Sequence, residues 1–238
     1  MFRTLIFWIV FIPWTLFVIV TGVPLSFINP DWLHAYAKIW ARFGLVLIGG
    51  RLIVEGTENL DASRPVVYMP NHQSNVDILA LFAGIPGQFR WMAKEELFRI
   101  PLFGYAMART GYIPINRSDR RQAAKSMAVA AQRIAAGTSV VIFPEGTRSE
   151  DGRLLPFKKG GFLLALSAQT PIVPVAIDGS RDVMRKGRLT FKPGDIHIRF
   201  FPAIVTAGRH TADRDHLMDE VRQPIATALG QPVEDSAA

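Results

Sequence analysis

Apolar residues run from Thr4 to Ile28 without a single charge, including the stretches 5–12 and 16–20. As a helix this run is about 37 Å long, enough to cover a hydrocarbon core of about 30 Å. From Asp31 to Gly49 the pattern changes. His34, Lys38 and Arg42 recur every four positions while Trp32, Leu33, Tyr36, Ile39 and Trp40 fill the other faces. That spacing predicts an interfacial helix with a narrow basic stripe whose cations snorkel to headgroups. Pro13 is expected to interrupt the first helix, and Pro24 with Asn29-Pro30 to set a break before the second. Residues 1–49 thus read as a two-helix membrane-anchoring hairpin, spanning or sunk into one leaflet, with padding of a globular core as the alternative. A cleaved signal peptide is disfavoured, because Arg3 is the one basic residue ahead of the run and no small-x-small site follows it.

After Gly50, short apolar runs alternate with helical periodicity, which predicts an α/β fold. Strands are expected at 51–54, 65–69, 89–93, 111–115, 139–143, 172–177 and 196–201, and helices at 76–82, 96–109, 119–136, 161–169 and 211–229. The fold class is therefore a mixed, largely parallel sheet of about seven strands flanked by helices. In the helix at 119–136, Ser118 is the expected cap, Ala124, Met127, Ala131 and Ile134 the inner face, and Gly137 the stop. No linker or repeat divides residues 50–230, which read as one domain followed by a flexible tail at 231–238.

Composition adds three constraints. Apolar residues are 49% of the chain, an excess that belongs in a membrane or a long apolar pocket. There is no cysteine, so disulfides, thiolate metal sites and a cysteine nucleophile are excluded. The net charge of +7 is uneven: residues 90–133 balance to +6, and those from Arg209 onward to −3. A basic middle implies an anionic partner, which by composition is phosphate, anionic lipid or nucleic acid. The five histidines form no His-Glu-x-x-His pattern, which disfavours a metalloenzyme.

The chemistry concentrates in two polar segments. In Asn71-His72-Gln73-Ser74-Asn75-Val76-Asp77, a histidine and an aspartate lie five positions apart between apolar runs. A carboxylate that holds an imidazole in one tautomer makes a general base; the alternative is a helix entry capped by Ser74 or Asn75. In Phe143-Pro144-Glu145-Gly146-Thr147-Arg148, a buried-type strand ends in an acid, a glycine, a hydroxyl and a cation. There Gly146 would let a backbone N–H approach an anion, Thr147 add a donor and Arg148 grip a phosphate, unless Glu145 and Arg148 simply pair in a surface turn. Two further predicted strands end in cations, Lys94 and Arg117, and 170–177 is an apolar strand bounded by prolines.

In order, residue type and spacing, these four blocks over about residues 50–205 resemble the glycerolipid acyltransferase superfamily, most closely the bacterial lysophosphatidate (1-acylglycerol-3-phosphate) acyltransferases. Asn116 stands where many members have aspartate. The N-terminal hairpin is similar to the membrane-dipping element of these enzymes. The resemblance implies transfer of a fatty acyl group from acyl-CoA or acyl-carrier protein to the sn-2 hydroxyl of 1-acylglycerol-3-phosphate, giving phosphatidic acid. His72 would be the general base and Asp77 its orienter. Lys94, Arg117 and Arg148 would hold the phosphate, with Glu145, Gly146 and Thr147 shaping the glycerol end. An apolar tunnel for the acyl chain would draw on Leu97, Phe98, Leu102, Phe103 and Gly104, with core packing the alternative role for each of these residues. No metal, further cofactor or nucleic acid is implied, and the expected place is the cytoplasmic face of the inner membrane. Other acceptors, such as glycerol 3-phosphate, a lyso-ornithine lipid or another lysophospholipid, use the same chemistry. A non-catalytic protein binding anionic lipid is the reading from a different class.

Overall fold

The computed structural model describes residues 2–116 and 119–232. Helix α1 (Phe2–Leu25) and helix α2 (Pro30–Ile48) form the expected hairpin. The break between them follows the sequence: Asn29 caps α2 by accepting the Asp31 N–H at 2.8 Å, and Pro30 occupies the first turn. Pro13, in contrast, does not interrupt α1. The missing N–H removes one bond, but ring contacts of Phe11 with Trp40 and of Trp14 with Phe43 hold both halves against α2. The basic stripe of α2 also departs from expectation. His34 is buried on Tyr112, and Lys38 Nζ donates to the carbonyls of Ile85 and Gly87, so two of its three members face the protein and Arg42 alone is exposed.

Downstream the elements are β1 (Gly50–Glu55), β2 (Val67–Pro70), α3 (Val76–Gly84), β3 (Phe89–Lys94), α4 (Phe103–Arg109), β4 (Ile113–Ile115), α5 (Arg120–Ala135), β5 (Ser139–Val141), α6 (Lys159–Ser167), β6 (Ile172–Asp178), a single turn α7 (Ser180–Val183), β7 (Gly194–Phe200) and α8 (Arg214–Ala228). Among the described residues, seven strands make one sheet in the order β1-β7-β6-β2-β5-β3-β4. Only the β6–β7 pair is antiparallel.

Alternation along the central strands sends side chains to two cores. Tyr68, Val141, Phe143, Val173 and Val175 face the side covered by the hairpin and α3, whereas Val67, Met69, Val140, Ile142 and Ile172 face α5, α6 and α8. At the β1–β7 edge, Ile196, Ile198 and Phe200 are buried while Asp195, His197 and Arg199 are exposed, so the sheet is covered there on one face.

Four local expectations are corrected. The helix expected at 96–109 is split by Pro101 into a 3-10 turn, Glu95–Arg99, and α4. The two pieces fold back so closely that a Cβ on Gly104 would meet the Phe98 backbone, leaving room for glycine alone. In α5 the cap is Asp119, which accepts from the N–H groups of Arg121 and Gln122, and Ser118 lies outside the described residues. The buried side of α5 is Ala123, Met127, Ala130, Ala131 and Ile134, so Met127, Ala131 and Ile134 face inward as expected and Ala124 is exposed. Finally, Gln231 is docked rather than loose: it accepts from Leu154 N–H at 2.7 Å and donates to the Gly152 carbonyl at 2.8 Å.

Candidate active site

The strands β2, β5, β3 and β4 are consecutive parallel neighbours, so their carboxyl ends open on one edge of the sheet. That is where an open α/β sheet presents ligand-binding loops. The segment 71–75 leaves β2, the segment 142–148 leaves β5, and Lys94 ends β3. Arg117, expected to join them after β4, lies outside the described residues.

As β2 parts from β6, Asn71 takes over a rung of the ladder. Its side chain donates to the Ile177 carbonyl at 2.9 Å and accepts the Ile177 N–H at 2.6 Å. The chain then turns into α3 around Asp77, which is fully buried in the helix's first turn. Asp77 Oδ2 accepts the backbone N–H groups of Gln73 and Ser74 at 2.7 and 2.9 Å. The same oxygen lies 2.8 Å from His72 Nδ1. A carboxylate oxygen only accepts, so Nδ1 carries the proton and Nε2 keeps its lone pair. The entry to α3 is thus tied down by Asp77; Asn75, at the N-cap position, makes no side-chain capping bond, and Ser74 Oγ accepts the Val76 N–H at 3.1 Å. Phe143 fixes the plane of the imidazole, stacked on it at 3.8 Å between centroids and 14° between planes.

Glu145 braces this arrangement from behind. It is 2% exposed; Oε1 accepts the His72 N–H at 2.6 Å and Oε2 the Leu155 N–H at 2.9 Å. The His72 carbonyl accepts from Ser149 N–H at 2.8 Å, so the backbone of the base is held on both sides. Burial pushes the Glu145 carboxyl up to about 7 against the pull of the two N–H donors, with the Asp77 charge adding to the rise and Arg222 opposing it. Arg222, on α8, donates to the carbonyls of Leu154 and Leu155 and so fixes the strap that carries one of those donors.

In front of His72 lies a cavity of about 630 Å³. His72, Asn75, Lys94, Thr147 and Arg148 supply most of its polar lining. The apolar lining comes from the hairpin (Val18, Ile19, Trp40), from Ile78 and Phe82, and from Phe103, Ala106 and Met107. Arg148 Nη1 donates to Asn75 Oδ1 at 2.8 Å, which tethers the cation to the turn that carries the base. Lys94 pairs with Glu96 at 3.0 Å and stays largely exposed. An apolar space with a cationic, base-bearing end suits an amphiphile with an anionic head.

The structure therefore gathers His72, Lys94, Gly146, Thr147 and Arg148 around one cavity, with Asp77 buried behind His72. Glu145 and the backbone N–H of Gly146 are placed differently from the expectation. Glu145 points into the protein onto two backbone N–H groups, and Gly146 (φ 72°) donates its N–H to the Phe143 carbonyl at 3.1 Å to close the turn. Of the expected tunnel residues, Leu97 and Phe103 line the cavity, whereas Leu102 is exposed and Gly104 packs on Phe98. Asn71, Asn75, Phe143 and Arg222 act in the site without having been singled out for these roles. Asn71, Asn75 and Phe143 belong to the two recognised segments, whereas nothing local marks Arg222, which acts from 150 positions beyond His72.

A parallel-sheet edge carries a carboxylate–imidazole pair beside cations and an apolar cavity, an arrangement with the groups to take up a proton next to an amphiphilic anion. The family model described as Acyltransferase matches residues 51–178, and the chain belongs to that family. It is 35% identical over 198 residues to the chloroplastic 1-acyl-sn-glycerol-3-phosphate acyltransferase BAT2 of Brassica napus, covering 82% of this chain and 56% of that one. It is 36% identical over 184 residues to the human 1-acyl-sn-glycerol-3-phosphate acyltransferase alpha, covering 77% and 65%. The chain thus spans little more than half the length of the Brassica relative. The crystal structure of the 1-acyl-sn-glycerophosphate acyltransferase of Thermotoga maritima superposes with a TM-score of 0.82 at 25% identity, covering 96% of this chain and 94% of that one.

Proposed function

We infer that this protein transfers a fatty acyl group from a thioester, acyl-CoA or acyl-carrier protein, to the sn-2 hydroxyl of 1-acylglycerol 3-phosphate. The observation that carries the reading is the His72 Nδ1–Asp77 contact of 2.8 Å, which leaves Nε2 basic at a cavity rimmed by Lys94 and Arg148. The relatives named above act on such a lysophosphatidate by their names, which agrees with this rim.

In the proposed reaction the acceptor hydroxyl gives its proton to His72 Nε2 as its oxygen attacks the thioester carbonyl. Asp77 stabilises the imidazolium. The tetrahedral adduct expels the thiolate, which takes that proton back, so His72 ends neutral and a free thiol leaves. Such base assistance contributes roughly 10² to 10⁴ in rate. Lys94 and Arg148, with Arg117, bind the phosphate, and Thr147 donates to the headgroup. Glu145 acts on His72 through the backbone rather than on the acceptor.

Helix α1 is long and apolar enough to cross a membrane. Its middle, Thr15 to Ile19, nevertheless lines the cavity of the catalytic domain. A spanning α1 would carry that domain to the bilayer centre, so the hairpin lies in one leaflet, on the cytoplasmic face where acyl thioesters are made.

Thiol release by purified protein with acyl-CoA and lysophosphatidate tests the reading, beside His72→Ala. No release by the wild type, or full activity in a folded His72→Ala variant, would overturn it. A panel of acceptors with a single donor then fixes the acceptor.

A further inference from the structure

Residues 181–192 carry five cations, Arg181, Arg185, Lys186, Arg188 and Lys192, against one acid, Asp182, and none of them lines the cavity described above. They form a closed excursion. Its neck is the bond from Lys192 N–H to the Val183 carbonyl at 2.9 Å, and an Arg188 N–H to Arg185 carbonyl bond of 3.1 Å turns the tip. The base is fixed by Ser74 Oγ, which donates to the Met184 carbonyl at 2.7 Å.

The far side of this loop is seated on α1. Trp8 Nε1 donates to the Leu189 carbonyl at 3.0 Å, and Phe191 is plugged against Phe7 with centroids 4.8 Å apart. One helical turn to either side of Trp8 stand Leu5 and Ile12, both more than half exposed. Leu189, 68% exposed, therefore extends the apolar outer strip of α1. The cations divide into two groups. Lys186 pairs with Glu150, and Arg181 donates to the Glu150 carbonyl. Arg185, Arg188 and Lys192 are exposed and belong to none of the ion pairs among the described residues.

We propose that residues 184–192 are a second membrane contact, in which Leu189 enters the headgroup–acyl boundary beside α1 while Arg185, Arg188 and Lys192 bind anionic lipid headgroups. An anionic bilayer is favoured over an acidic protein because the loop is continuous with the apolar face of α1, which a soluble partner would leave uncovered. Cations at such a surface each strengthen attachment about fivefold. The proposal rests on α1 lying in a membrane, and not on the reaction assigned to His72.

Because the chain has no cysteine, a single label can be placed at will. Leu189→Cys carries an environment-sensitive fluorophore, and His216→Cys, exposed on α8 over the opposite face of the sheet, is the control. Full-length protein is reconstituted with vesicles of phosphatidylcholine alone or with phosphatidylglycerol. The label at 189 is expected to brighten, shift to the blue and be quenched by nitroxide lipids, most strongly with phosphatidylglycerol, while the label at 216 stays aqueous. Combining Arg185→Gln, Arg188→Gln and Lys192→Gln lowers the inserted fraction about fivefold per cation and removes the preference for phosphatidylglycerol. Unfolding temperatures in detergent show that these surface variants fold. A label that stays aqueous at 189 in vesicle-bound protein, or a triple variant that inserts like its parent, overturns the proposal. So does shielding of the label by acyl-carrier protein in place of lipid, which would give the loop a protein partner.

Discussion

Glu145 Oε1 accepts the backbone N–H of His72 at 2.6 Å, so an acid in one polar segment positions the histidine of the other without touching the cavity. The two residues lie 73 positions apart and meet because β2 and β5 are parallel neighbours. The acid of the Phe-Pro-Glu-Gly-Thr-Arg block is thus read as a positioning residue.

Glu145 also predicts a pH dependence. Its carboxyl stands at about 7 in the fold against 4.5 in the unfolded chain. Between those values the native state holds more protons, so stability owed to this group is complete below about pH 4.5 and is lost as pH rises through about 7. The loss is at most on the order of 3 kcal/mol. Glu145→Gln cannot titrate, so unfolding in detergent should show the wild type losing stability relative to the variant across that window. Parallel pH curves would refute the assignment. Above pH 7 the variant should also lose roughly tenfold in kcat with little change in acceptor KM, since an amide nitrogen then faces one of the two N–H donors.

Phe143 is 7% exposed and stacked on His72. Phe143→Ala removes both a core side chain and the surface that fixes the ring, at a stability cost of about 3 to 5 kcal/mol. Phe143→Leu keeps the volume better and isolates the second effect. The expected outcome is a folded enzyme with reduced kcat and unchanged acceptor KM, measured by thiol release. A larger change in KM than in kcat would mean that Phe143 serves binding.

Asn75 and Arg148 make a graded pair. Arg148→Ala should raise the acceptor KM by roughly 10- to 100-fold and leave the thioester KM nearly unchanged, because a charge-assisted contact to phosphate is lost. Asn75→Ala keeps the cation but frees it, and should raise acceptor KM only about threefold to tenfold. Equal effects of Arg148→Ala on both substrates would show that it supports the fold of the rim.

The pattern made all seven strands legible, because β1 and the central strands are short apolar runs and β7 alternates. The helix break at Pro101 was missed because the apolar spacing on either side continues the same period. The chemistry was legible wherever it sat in a contiguous block: His72, Thr147 and Arg148 meet at the cavity, and Asp77 stands behind His72. The direction in which Glu145 points was not legible. It depends on a backbone N–H brought alongside by sheet pairing, and backbone donors leave no mark on residue identity. The stripe on α2 misled for a related reason. His34 and Lys38 satisfy Tyr112 and the Ile85 and Gly87 carbonyls, partners that only the docked helix reveals.

The hairpin predicts its own consequence. Residues expected to serve as a membrane anchor supply Phe7, Phe11, Ala41, Leu45 and Ile48 to the same core as Leu79, Phe82 and Trp91. Large core side chains are each worth about 2 to 5 kcal/mol, so losing several exceeds a typical folding stability of about 5 to 15 kcal/mol. Deleting residues 1–48 should therefore yield aggregated protein rather than a soluble enzyme, as read by gel filtration and circular dichroism. Gly44→Leu is the milder probe, since a Cβ there would stand 2.7 Å from the Phe11 ring and 3.2 Å from Leu79. It should cost about 1 to 3 kcal/mol by prising α2 from α1 and α3. Because both helices line the cavity while His72 and Asp77 lie outside the hairpin, long-chain donors should lose more activity than short ones. A monomeric, folded and active product from the deletion would show that the hairpin only tethers.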